Sequence, residues 1–256
     1  MATWDDHDYG ENDAGRHYAM KETSKEIFLD FFDEPADSLR RTHAGVYTSY
    51  VYEHLGKTIQ IILLDVRTFR DDLKSYGGEL KNDRRYFYQL DYSPHAFDSK
   101  AAFLGEEQWT WLEGELQKPA DVRIIGSGSQ FGIEFNGYEA WANFPAEQLR
   151  LLNLLQTTQA KGVLFISGDV HYAEISKMEV QGLYLIYDIT ASGLSSTWHF
   201  ATPNCNRIEG PVMENHFGLL SIDCGTEMKI RAEIRDYTDN QRIEYTISLD
   251  ELRPKE

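Results

Sequence analysis

Val163-Leu164-Phe165-Ile166 is an unbroken apolar run that ends in Ser167 and lies between Gly162 and Gly168. A strand with one wet face alternates apolar and polar residues; this one does not, so it reads as a strand buried on both faces inside a parallel sheet. The residues before it carry a helical pattern from Pro145 to Ala160. Pro145 suits the first turn, where its missing N–H costs nothing, and Leu149, Leu152 and Leu155 supply an apolar face. Further upstream, Val122 to Gly126 is a second short apolar strand. Strand, helix and strand from Val122 to Ser167 make a right-handed βαβ unit and put the chain in the α/β class. Ligands of open α/β sheets bind beyond the carboxyl ends of the strands. There the chain places Gly168-Asp169-Val170-His171, whose carboxylate and imidazole, two residues apart, can converge on one metal ion from an extended turn.

A second polar cluster lies at the opposite end of the sequence, in Trp4-Asp5-Asp6-His7-Asp8-Tyr9-Gly10-Glu11-Asn12-Asp13. Adjacent carboxylates repel unless a positive group sits between them. Hard oxygen donors beside one imidazole suit a metal site that handles an anion. The bland alternative is a solvated acidic tail. Trp4 and Tyr9 argue against it, because such tails rarely carry aromatic residues.

The rest of the chain supplies scaffold. Thr23 or Ser24 can cap a helix that Pro35 ends, with Ile27, Phe28, Phe31 and Phe32 expected in the core. Val46 to Glu53 and Thr58 to Asp65 form a hairpin through Gly56-Lys57, and Arg67 and Arg70 follow its second strand. Arg67 can grip a phosphate or order Asp65, for which a structural role is favoured. Asp71 to Ser99, with Tyr86, Tyr88 and Tyr92, reads as an irregular insertion over the face that carries Asp169 and His171. Trp109, Leu112 and Leu116 line a helix from Leu104 to Lys118. Gln130 reads as a loop hydrogen bonder and His216 as a structural histidine. After His171, strands at Glu174–Val180, Leu183–Thr190, Phe217–Cys224, Met228–Asp236 and Ile243–Leu249 suggest a mostly antiparallel layer.

These motifs, in this order, resemble the alkaline phosphatase D (PhoD-like) branch of the metallophosphoesterases. The blocks are W-D-D-H-D-Y-G-E-N-D at Trp4 to Asp13, L-D-V-R-T-F-R at Leu64 to Arg70 and L-G-E-E-Q-W-T-W-L at Leu104 to Leu112. They continue with I-S-G-D-V-H at Ile166 to His171, T-A-S-G-L at Thr190 to Leu194 and N-H-F-G-L-L-S-I-D at Asn215 to Asp223. The resemblance implies one domain over residues 1–256, a sandwich of two mixed β-sheets flanked by helices. It implies a metal-dependent phosphohydrolase of phosphate monoesters or diesters, with a metal-activated water as nucleophile. Asp6, Asp169 and His171 match metal ligands. His7 matches the histidine that contacts phosphate and protonates the leaving oxygen. Asn12 and Arg67 are carried as substrate contacts, and Asp5 and Asp8 as groups that orient His7 or water. Iron and calcium are the cofactors associated with the family, with zinc or manganese as other candidates.

The family's first strands and first metal motifs, an early Asp or Cys and a G-D-x-x-Y-type turn, have no counterpart here. The chain therefore reads as the C-terminal part of such a protein, and the alternative function is a non-catalytic, weakly metal-binding fragment. Poor turnover by the chain alone is the corresponding expectation.

Composition narrows the partners. With 41% hydrophobic and 13% aromatic residues in 256, there is enough apolar material for a core. A net charge of −17 argues against binding nucleic acid or anionic membrane, and it would also repel the small phosphate-ester substrate that the resemblance implies unless bound cations reverse the field locally. No run approaches the roughly 20 apolar residues of a membrane span, and no signal pattern opens the chain. Cys205 and Cys224 read as free, buried thiols.

Overall fold

In the computed structural model, which describes residues 1–77, 91–134, 137–225 and 227–254, the glycine-bounded apolar run is strand β6 (Val163–Ser167). We number the elements before it in chain order: α1 (Asp6–Tyr9), α2 (Lys21–Phe31), β1 (Thr48–His54), β2 (Lys57–Leu63), β3 (Lys74–Ser75), β4 (Tyr92–Ser93), α3 (Gly105–Gln117), β5 (Val122–Ser127) and α4 (Pro145–Thr157). After it come β7 (Ala173–Glu179), β8 (Leu185–Ala191), β9 (Arg207–Val212), β10 (His216–Asp223), β11 (Lys229–Asp236) and β12 (Gln241–Ser248).

β6 occupies the middle of a seven-stranded sheet of order β1-β2-β5-β6-β8-β7-β9. It pairs in parallel with β5 on one side and β8 on the other, with Phe165 opposite Ile125 and Asp188. Val163, Leu164 and Phe165 are fully buried, as the lack of alternation requires. β2 extends the parallel core beyond β5, and the expected hairpin adds β1 antiparallel at one edge, with its turn at Leu55-Gly56 and Lys57 already in β2. β7 and β9 close the other edge, both antiparallel. β9 contains Pro211, which an edge strand tolerates and an interior strand does not.

Strands β10 to β12 form a separate antiparallel sheet, and β3 and β4 pair as a short two-stranded one. Ile230, Ile234 and Ile247 of this sheet share one hydrophobic core with Phe165, Ile186 and Tyr187 of the large one. The expected two-sheet α/β architecture is present, with the large sheet mixed and the small sheet wholly antiparallel. β7 and β8 belong to the large sheet because β8 returns alongside β6.

α3 and α4 cover the large sheet. Trp109, Leu112 and Leu116 of α3 are buried as expected. On α4 the buried pair is Leu151 and Leu155, four residues apart, whereas Leu149 is exposed and Leu152 half-buried. The i, i+4 pair points at the sheet; the Leu149-Leu152-Leu155 row, three residues apart, drifts off that face.

The aromatic stripe of α2 is also corrected. Only Phe28 and Leu29 of its apolar residues are buried, in a small cluster with Trp4, Tyr9 and Val46. Ile27, Phe31 and Phe32 are exposed, at 64%, 77% and 44%. α2 packs against the N-terminal segment through one narrow face, which leaves the neighbouring aromatics in water.

Part of the expected insertion, residues 78–90 with Tyr86 and Tyr88, lies outside the described residues. Among the described residues no helix is long and apolar enough to cross a membrane. Both cysteines are free, but Cys205 is exposed and Cys224 half-buried, so they are not the buried pair expected.

The two faces of α2 should separate in stability measurements. Phe28→Ala is expected to cost about 3 kcal/mol or more, and Phe31→Ala within about 0.5 kcal/mol of zero, both read by urea denaturation. Equal losses would contradict the buried and exposed assignments.

Candidate active site

The first motif is anchored, not a tail. Trp4 is 1% exposed and packs edge-on against Tyr9, with ring centres 5.0 Å apart, and against Phe28 at 5.3 Å. Between these two anchors the chain turns through α1. The turn buries the Asp6 side chain and leaves His7 and Asp8 exposed. Asp6 is held from both ends: Oδ1 accepts from the His7 backbone N–H at 2.8 Å and Oδ2 from the Asp13 N–H at 3.0 Å.

The second motif leaves β6 through an unusual backbone. Asp169 and His171 have φ of +77° and +54°, and Asp13 across the pocket has +54°. Left-handed backbone at non-glycine residues costs roughly 1–3 kcal/mol each and persists where the surroundings over-determine it. Here they do. The Gly168 N–H donates to Gly128 O at 3.0 Å, the His171 N–H to Ser192 Oγ at 2.8 Å, and the Trp198 N–H to His171 O at 3.1 Å. Loops after β5, β6 and β8 therefore lock together at the carboxyl end of the parallel strands.

The fold brings the two motifs into contact. Asp5, Asp6 and Asp169 each offer a carboxylate oxygen, and these oxygens lie within 4.8 Å of one another. Burial, then the charges of Asp5 and Glu139, push the Asp169 carboxyl well above its usual range, while Arg67 opposes the shift. Burial raises Asp5 as well, with Arg67 again opposing. Carboxylates gathered this closely need positive charge among them to ionise together. A hard cation answers that need, and the three gathered carboxylates fit such an ion; the His171 nitrogens lie outside this group.

A cavity of about 230 Å³ opens over the cluster. Asp6, Asp169 and His171, the three expected metal ligands, all line it, and so do His7 and Asn12. The His7 side chain is 71% exposed at the mouth, with Nε2 3.8 Å from Asp6 Oδ2. Asn12 Nδ2 donates to Asp13 Oδ2 at 2.8 Å.

Arg67 is not at the surface of the cavity. It is fully buried beneath it, where its Nε donates to Asp5 Oδ1 at 2.9 Å and its Nη1 to Glu139, 2.7 Å from Oε1. Nη2 also engages Asp5. A guanidinium committed in this way organises the acidic cluster from behind. Asp65 is structural, as favoured: its carboxylate accepts from the Arg67 and Thr68 N–H groups, both at 2.9 Å, and from the Val46 N–H at 2.9 Å.

Several residues of the site carried no local signal. Glu139 lines the cavity from the loop after β5 and accepts from Ser129 Oγ at 3.1 Å. Burial would raise its pKa, but Arg67 and then Arg70 bring it down to about 2. Asp13, raised to about 6 by burial and by Glu139, takes a hydrogen bond from the Tyr92 hydroxyl. Tyr92 belongs to the described part of the insertion, which does reach the cavity. Tyr138 and Trp198 complete the wall.

Gln130 and His216 serve the scaffold. Gln130 Nε2 donates to Thr190 Oγ1 at 3.0 Å and Glu174 Oε1 at 3.3 Å. His216 Nε2 accepts from the Gly193 N–H at 3.0 Å, and Nδ1 faces Glu214 O at 2.7 Å, which makes the ring a neutral Nδ1–H tautomer. A Cβ on Gly193 would collide with that ring, so this position in T-A-S-G-L demands glycine.

The PhoD-like phosphatase family model matches residues 1–246, which takes in every strand but for Ile247 and Ser248 at the end of β12. The chain belongs to the PhoD-like phosphatase family. It is 24% identical over 210 residues to alkaline phosphatase D of Bacillus subtilis (strain 168), a match that covers 70% of this chain and 32% of that protein. The fold resembles a solved structure of PhoD with a TM-score of 0.63 and 15% identity, over 96% of this chain and 51% of the other. The chain thus spans about a third of its curated PhoD relative and half of the solved one.

Two measurements follow from this geometry. Arg67→Met leaves Asp5 and Glu139 as unpaired buried charges and should cost about 3–5 kcal/mol in urea denaturation. Arg67→Lys should recover little of it, because an ammonium cannot replace the fork. Full recovery by lysine would contradict the role of the fork. The second concerns pH. Burial holds the His216 pKa below its ordinary value. The unfolded chain therefore takes up a proton that the folded chain resists, and stability falls as pH drops through the ordinary histidine range, about 6.5. His216→Gln should flatten that part of the stability–pH curve; an unchanged slope would show that His216 does not contribute to it.

Proposed function

We propose that this PhoD-like protein is a metal-dependent phosphohydrolase of phosphate monoesters or diesters, and that its chemistry runs in the cavity over Asp5, Asp6 and Asp169. The observation that carries the reading is the convergence of these three carboxylates with His7, Asn12 and His171, from motifs more than 150 residues apart, at the carboxyl ends of the parallel strands. Asp6 and Asp169, with His171 beside them, would hold the cation, and Asp5 stands as a further ligand. The oxygen-rich shell suits calcium, and iron is carried over from the family resemblance. When bound, the cation supplies an acidified water and neutralises phosphoryl oxygens.

The protein's own groups do the rest. His7, exposed at the mouth, can carry a proton to the leaving oxygen. The Asn12 amide can donate to a phosphoryl oxygen once it leaves Asp13. Arg67 does not reach the ester; it fixes Asp5 and Glu139 so that the ligand oxygens keep their spacing. The strained turns at Asp169 and His171 keep both side chains aimed into the cavity.

The test is metal content and phosphate affinity in the same preparations. The chain purified with iron or calcium should retain close to stoichiometric metal and bind inorganic phosphate only when loaded. Asp169→Ala should lose both by more than about tenfold. A chain that takes up no metal and no phosphate would overturn the reading.

A further inference from the structure

The cavity has an acidic side and an aromatic side, and the phosphoryl chemistry proposed above uses only the first. On the other side the Trp198 ring stands 5.9 Å from the His171 ring and 5.4 Å from that of Tyr138. Behind it Phe200 lies nearly parallel, at 5.3 Å and 16°. The Trp198 backbone is tied to His171 O at 3.1 Å, so the ring is carried by the same turn that presents the candidate metal ligand. An indole backed by a second ring and fixed beside the reacting centre is a rigid apolar face.

Charge restricts what this face can receive. Among the described residues that line the cavity there is no lysine or arginine, while Asp13, Asp91 and Glu139 all face it. A substituent with a second anionic group would meet these three carboxylates, with no lysine or arginine among the described lining residues to offset them. Size restricts it too: about 230 Å³ is below the roughly 300 Å³ at which pockets for drug-sized ligands begin. That leaves space for a phosphoryl group and little beyond a single ring.

We propose that Trp198, with Tyr138 beside it, forms the leaving-group subsite and selects phosphate esters of neutral, planar aromatic alcohols over aliphatic and anionic ones. The assignment rests on the phosphohydrolase reading of the same cavity. It adds a platform on which the ring of the departing alcohol stacks while its phosphoryl group meets the acidic side.

Phosphonates test this without turnover, because their carbon–phosphorus bond is not hydrolysed. The full chain, loaded with calcium or iron, is titrated calorimetrically with phenylphosphonate, methylphosphonate and 2-aminoethylphosphonate. Phenylphosphonate should bind about tenfold more tightly than methylphosphonate. Trp198→Ala should remove most of that advantage while methylphosphonate binding falls far less, and a retained cooperative urea transition shows that the variant is folded. Trp198→Phe should keep most of it. Equal affinity of the wild-type chain for phenylphosphonate and methylphosphonate would overturn the subsite and leave the phosphohydrolase reading standing. So would an equal loss for both ligands in Trp198→Ala, which marks a merely structural tryptophan. Tightest binding of 2-aminoethylphosphonate would overturn it in favour of a cage for cations. Binding of none of the three would remove the phosphohydrolase reading itself, and the subsite with it.

Discussion

The Arg67 guanidinium joins three separate pieces of chain. Asp5 comes from the N-terminal segment, Glu139 from the loop after β5, and Arg67 itself from the turn after β2. Each partner is buried or nearly so, and a buried carboxylate without its cationic partner is strongly destabilising. The interaction is therefore less a source of stability than a constraint: these loops fold together or not at all. It also decides where the carboxylates of the cavity stand. Gly128 enters the same arrangement, since a Cβ there would approach Asp5 Oδ1 to 2.7 Å.

Around this clamp the cavity stores both charge and strain. Asp169 is raised by burial and by its acidic neighbours, and Asp169, His171 and Asp13 hold left-handed backbone. Neither condition is favourable locally. Both are maintained by the rigid parallel strands beneath, β2, β5 and β6, whose side chains fill a single core with the antiparallel sheet. The PhoD-like family assignment and the site geometry meet here, because the matched region includes every residue of the cavity.

The legible parts of the sequence were those where local pattern and chemistry coincide. The apolar β6 run and the D-x-H after it, the β1–β2 hairpin and the α3 stripe could be read from spacing, because strand and helix periods are local properties. Asp6, His7, Asn12, Asp169 and His171 stand in the cavity as residues of two recognisable motifs. The face of α2 was not legible. Ile27, Phe31 and Phe32 are as apolar as Phe28 and Leu29, and only the position of Trp4 and Tyr9 selects which of them is covered. The same holds for α4, where leucines occupy several faces and the sheet chooses Leu151 and Leu155.

The sequence by itself determined the α/β class, the family and the carboxylate and imidazole groups available for chemistry, since these depend on residue type and short-range order. Tertiary structure alone decided that Arg67 lies under the cavity, that Asp5 joins Asp6 and Asp169, and that Glu139, Tyr138 and Trp198 complete the walls. These residues are separated by tens to hundreds of positions and sit in loops without periodicity. Their meeting is set by strand order and by the pairing of buried charges, neither of which has a signature in any one stretch of chain.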